Sequence, residues 1–243
     1  MNIPSIVDML KAGVHFGHQT SRWHPKMKEY IFASRNGLHI IDLEKTQVEM
    51  EKTLKAVKQM AAEGKQILFV TTKPQARSIV KEAAINAGMP YIVERWIGGM
   101  LTNFPEIKKL ISGYISLKEQ QASGELEKYT KKEQLDISKD LIKKDVTLVG
   151  LTSLKKIPDA IFLPSLQREK TTLIEANKKG ITVIGVADTN SNPKKADYII
   201  PANDDAVRSI DIIVKAVSEA IKEGREEYLK TQKVAGKTEQ KKA

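Results

Sequence analysis

The chain has 243 residues, 41% hydrophobic and 29% charged, and forty lysines and arginines against thirty aspartates and glutamates give it a formal charge of +10. It carries no cysteine, which excludes disulfides, thiolate zinc sites and cysteine nucleophiles together. The balance describes a globular chain with a proper core and a polyanionic partner; its longest apolar runs, such as Ile181 to Ala187, are far short of a bilayer span, and its first residues read as neither signal peptide nor anchor.

Residues 4–12 (PSIVDMLKA) predict a short amphipathic helix with Pro4 near its start. The next stretch, Gly13 to Gly37, GVHFGHQTSRWHPKMKEYIFASRNG, reads as neither helix nor ordinary strand. Arg22, Lys26, Lys28 and Arg35 face the single acid Glu29 there, interleaved with Phe16, Trp23, Tyr30, Phe32, His15, His18 and His24. Cations attract phosphate and flat rings stack on bases, so the stretch suits an RNA-contacting surface. A solvated basic loop with its aromatics tucked beneath the domain is the plainer alternative.

Leu38 to Leu43 predicts a short buried strand, and 44–63 a helix with Val48, Leu54, Val57 and Ala61 on its apolar face, stopped by Gly64. A strand at 67–72, a helix from Pro74 to Gly88 and a strand at 91–96 follow. Alternating strands and helices imply a parallel sheet covered on both faces. The alternation then breaks. Asn103 is a candidate cap for a helix running to a turn at Ser123-Gly124, and Thr130 with Glu133 forms a capping box opening a second helix to about Asp145. These two polar helices make an inserted hairpin. Strands at 160–163, 182–188 and 198–200, a helix over 168–179, and a last helix capped by Asp204 or Asp205 and ending near Gly224 complete the pattern. The expected organisation is a discontinuous α/β RNA-binding domain (1–104 and 155–226), a protruding helical hairpin (105–154) and a disordered basic tail (227–243).

Enzyme signatures are missing. No G-x-G-x-x-G or G-x-x-x-x-G-K-[ST] loop follows a strand, and no histidine follows His39 for a Ser-His-Asp arrangement. Asp188, Asp204 and Asp205 could converge at the carboxyl edge of the sheet as weak ligands for a divalent ion, although helix capping and loop hydrogen bonds account for them as well. A soluble nucleotide-handling α/β enzyme using that edge is the alternative function.

Three collinear stretches, GVHFGHQTSRWHPKMKEYIFASRNGLHIIDLEKT, ERWIGGMLTNF and GVADTNSNPKKADYIIPANDDAVRSI, resemble the ribosomal protein S-two family of the bacterial-type small subunit. The resemblance covers nearly the whole chain, and RWIGGMLTN (Arg95 to Asn103) is specific in itself. It implies a flavodoxin-like doubly wound parallel sheet with an inserted coiled-coil hairpin, no catalysis and no cofactor. It also implies binding to small-subunit ribosomal RNA near the head-body junction, with neighbouring ribosomal proteins, among them the messenger-binding protein S-one, as partners, in the cytoplasm or an organelle. Carried over by position, the RNA-binding candidates are His15, His18, Arg22, Trp23, Lys26, Lys28, Arg35, Arg95, Trp96 and Asn103. Pro164-Ser165 stands where the family ends its fourth main strand with an aliphatic residue and an aspartate, so that strand is expected to end early or bulge. Thr182 replaces a frequent proline.

Overall fold

The computed structural model describes residues 3–239. Five strands form a parallel sheet: β4 (Ile67–Val70), β5 (Tyr91–Ile92), β6 (Ala160–Leu163), β7 (Thr182–Ala187) and β8 (Tyr198–Pro201), in the order β5-β4-β6-β7-β8. Counted among themselves, that order is the 2-1-3-4-5 of flavodoxin-like folds. All four residues of β4 and of β6 are buried, as strands covered on both faces must be. Period-2 alternation sends Ile67 and Phe69 into one core with α2 (Leu43–Ala62), α3 (Arg77–Ala87) and α7 (Val207–Glu239). Leu68 and Val70 enter the other, with α4 (Phe104–Ala122), α5 (Lys131–Leu148) and α6 (Lys170–Lys179). Each fully buried large side chain contributes roughly 1.5–3 kcal/mol.

Helix α1 (Ile6–Ala12) is capped by the Ser5 side chain, which accepts the Asp8 amide at 3.1 Å. The Thr130–Glu133 capping box is present, whereas Asn103 makes no side-chain cap hydrogen bond. Helices α4 and α5 pair through the Tyr114 hydroxyl and Lys118, both bonded to Asp145. Strand β6 ends before Pro164 with no break in its register against β7. Among the described residues no helix is long and apolar enough to cross a membrane.

The structure corrects four expectations. The segment after Gly13 is not irregular throughout: β1 (Phe16–Gln19), β2 (Ile31–Arg35) and β3 (Leu38–Ile41) form a separate antiparallel sheet ordered β1-β3-β2, so the 38–43 strand lies outside the parallel sheet. Strand β5 stops at Ile92, pairing only through Tyr91 with Phe69 and Ile92 with Val70, and the chain beyond it turns away to form the loop that carries Trp96. Asn203, rather than either aspartate, accepts the amides leading into α7, from Asp205 at 2.8 Å and Ala206 at 3.1 Å. Finally, α7 passes Gly224 and continues to Glu239, so the expected tail is helical that far; 240–243 lie outside the described residues. Tertiary contacts hold the start of this extension. A Cβ at Gly224 would run into the Lys58 carbonyl of α2, and Arg225 donates to the carbonyls of Ala87 and Gly88 at 3.0 and 2.7 Å.

Candidate nucleic-acid interface

The small antiparallel sheet sits on the carboxyl edge of the parallel one. Asn36-Gly37, at φ 51° and 76°, closes a two-residue turn between β2 and β3, with Arg35 opposite Leu38. Both residues need the left-handed region, which Asn and Gly tolerate. The His18 amide donates to Thr189 Oγ1 at 2.8 Å, and the His24 amide to the Thr189 carbonyl at 2.8 Å. Asn203 adds its own amide to the Val14 carbonyl and its Nδ2 to the Gly13 carbonyl. The approach is close enough to exclude a side chain at residue 17, where a Cβ would lie 2.6 Å from Thr189 Cγ2.

Arg22, Lys26, Lys28 and Arg35 are exposed on this sheet and its turns, together with Phe16, Trp23 and Phe32. Met27, buried between Lys26 and Lys28 in the turn Pro25–Tyr30, anchors them. Phe32, 76% exposed, is the most prominent ring and stands outside the carried-over residues. His15 lies half-buried against Phe16, ring centroids 4.0 Å apart, and burial lowers its pKa, favouring the neutral ring. Trp23 rests on His39 at 5.4 Å.

His18 turns inward. Its Nδ1 lies 3.1 Å from Asp188 Oδ1 and its Nε2 3.3 Å from Asp205 Oδ2. The hydrogen bond to Asp188 raises the imidazole pKa against the opposing effect of burial, with the charges of Asp188, Asp204 and Asp205 adding to it. The three aspartates therefore converge as their positions suggested, with Lys73 as a second counter-charge, 2.9 Å from Asp204 and 2.7 Å from Asp205. Burial and the charge of Asp188 push the Asp204 carboxyl up, and Ser165 Oγ donates to it at 2.5 Å. Burial pushes Asp205 up as well, but Lys73 and His18 outweigh it and hold that carboxyl below its usual range. The donors of His18, Asp188 and Asp204 lie within 4.8 Å of one another, one imidazole nitrogen with two carboxylate oxygens. Asp205 faces Lys73 and His18 instead.

At the carboxyl ends of β4 and β6, where open α/β sheets hold ligands, the chain places a carboxylate of its own. Glu169 accepts the Thr72 amide at 2.5 Å and its hydroxyl at 2.9 Å. The Thr72 amide and hydroxyl are thereby taken, and burial pushes the Glu169 carboxyl up against the charges of Arg168 and Lys73.

Arg95 and Asn103 are exposed at the same edge, beyond β5, whereas Trp96 is buried. Glu175 of α6 gathers this loop. It accepts the Trp96 indole N–H at 2.9 Å and the amides of Gly99, Leu101 and Thr102 at 3.0, 3.1 and 3.3 Å. Burial alone would raise the Glu175 pKa, but the indole and the amides outweigh it and lower it. The RWIGGMLTN motif is thus a carboxylate-binding loop folded around an internal anion, which is why it needs glycine at Gly99 (φ 84°). Of the residues proposed from sequence, His18 faces the aspartates at 24% side-chain exposure, and Trp96 is buried, as its alternative role of anchoring the segment requires. Sequence reasoning passed over Asn36-Gly37, a local hairpin signal that would have revealed the sheet presenting Phe32.

Comparison with known proteins places these features in context. The family model described as ribosomal protein S2 matches residues 9–224. The chain is 46% identical over 218 residues to the small ribosomal subunit protein uS2 of Chlorobaculum tepidum, covering 90% of this chain and 88% of that protein. It is 45% identical over 219 residues to the proteins of the same name from Parabacteroides distasonis and Bacteroides fragilis, covering 90% of this chain and 79% of each relative.

Proposed function

The chain belongs to the ribosomal protein S2 family, and on that premise we propose that it binds small-subunit ribosomal RNA through the antiparallel sheet at the carboxyl edge. Its role is structural: a constituent of the small ribosomal subunit that supports translation. The observation that carries this reading is the exposure of Arg22, Lys26, Lys28 and Arg35 beside Trp23 and Phe32 on a sheet braced from beneath by Thr189 and Asn203. Cations supply phosphate affinity and register, while exposed rings stack on bases or pack against sugars. Arg95 and Asn103 extend the contact along the same edge. We extend the reading to a position near the head-body junction and, where the messenger-binding protein S-one is present, to its anchoring. Gradient sedimentation of native lysate tests the reading. Co-migration with the small subunit at low salt, lost at high salt, is expected; a position at the top of the gradient at every salt would refute it.

A further inference from the structure

A second group of cations lies beside the first and belongs to none of the candidates above. The turn Pro193–Lys195, which carries Lys194 and Lys195, packs against the turn Pro25–Tyr30, which carries Lys26 and Lys28. Asn177, in the last turns of α6, donates from Nδ2 to the Lys195 carbonyl at 3.3 Å, so Lys178 and Lys179 flank the same turn. All six lysines are exposed.

The four lysines of α2, Lys45, Lys52, Lys55 and Lys58, each have a carboxylate within 3.5 Å. Among the described residues, Lys178, Lys179, Lys194 and Lys195 make no ion pair. Glu29, Glu49 and Asp197 border the patch, but Glu49 is paired with Lys52 at 2.7 Å and Asp197 accepts the Val183 amide at 2.8 Å. The turn itself is stiff: Pro193 and Ser191 are buried, and Asn192 Oδ1 accepts the Lys194 amide at 3.2 Å. The dipole of α6 accounts for lysines at its carboxyl end; it does not account for Lys194 and Lys195 on a single 3-10 turn. Protein interfaces are depleted in lysine, whereas a phosphate backbone accepts it as a point charge.

We propose that Lys178, Lys179, Lys194 and Lys195 form a second phosphate-contacting surface, continuous with Lys26 and Lys28, that follows the backbone of the same RNA. The inference rests on the RNA-binding reading above and extends it from the antiparallel sheet onto α6 and the turn after β7.

Binding of the full chain to small subunits washed free of it, measured against salt, tests the proposal. Combined Lys178→Gln, Lys179→Gln, Lys194→Gln and Lys195→Gln should lower the slope of log affinity on log salt by roughly 3 to 3.5, at about 0.7–0.9 per phosphate contact, with the melting temperature unchanged. The two pairwise variants should each lose about half of that, which guards against a folding defect in the fourfold one. Because the chain has no cysteine, Lys179→Cys carries a tethered iron chelate at one position, and the expected product is cleaved RNA backbone. An unchanged slope in the variant while the unaltered chain binds would overturn this surface alone. Cleavage of a neighbouring protein without RNA cleavage would do so too. Failure of the unaltered chain to bind would overturn both readings.

Discussion

Glu175 accepts the indole N–H of Trp96 at 2.9 Å across 79 residues of sequence. One buried carboxylate thereby orders the whole loop after β5, and the two exposed candidates on that loop, Arg95 and Asn103, depend on it for their position.

Glu175→Gln should cost about 2–4 kcal/mol, since a charge-assisted acceptor is lost and buried donors are left poorly paired. The pH dependence has a definite sign. The folded pKa lies below the ordinary value of 4.5, so the stabilisation is present above about that pH and disappears as pH falls through the folded value. Thermal unfolding of both proteins between pH 7 and pH 3 should show the gap closing towards the acid end; a constant gap would mean that the carboxylate charge plays no part.

The two tryptophans should separate cleanly. Trp96→Ala removes a buried side chain and should cost about 3–5 kcal/mol in denaturant unfolding. Trp23→Ala should leave stability within about 1 kcal/mol and weaken subunit binding by about 1–3 kcal/mol if the ring stacks on a base. Equal stability losses would make Trp23 an anchor rather than a contact.

Charge reversal at Arg22 together with Lys26 should reduce the salt dependence of subunit binding by roughly 2 in log–log slope. The accompanying change in unfolding free energy should stay within about 0.5 kcal/mol for each exposed substitution. Comparable losses of binding and stability would show that the segment is structural.

The helical hairpin cannot be cut where its sequence boundaries suggest. Ile107, Ile111, Tyr114, Leu148, Leu151 and Leu154 belong to one of the two cores. Excision of 105–154 should abolish cooperative unfolding. Replacing 119–140 by a short glycine linker keeps those residues and the Lys118–Asp145 pair, and should leave the melting temperature within several degrees of the intact chain. Loss of folding in the shorter deletion would show that the distal turns also carry stability.

Gly224→Ala should drive α7 away from α2, because the new methyl meets a backbone carbonyl that cannot rotate aside. A cost of about 1–3 kcal/mol is expected from overpacking, and circular dichroism should show helix lost beyond residue 224.

The sequence by itself determined what short-range physics controls. Apolar periods of 2 and 3.6, the capping box at Thr130 and the glycines after helices located nearly every element of the parallel sheet and both hairpin helices. Charge and ring content singled out residues 13–37. Tertiary structure decided which way those side chains face. His18 and Arg22 look alike as members of a basic stretch, yet His18 meets Asp188, 170 residues on, and turns inward while Arg22 stays exposed. Gly224 carries the local signature of a helix end, yet close packing against Lys58 makes it the crossing point of a longer helix. In both cases the partner is remote in sequence, and only the folded chain brings its charge or its carbonyl within a few ångströms, where it outweighs local preference.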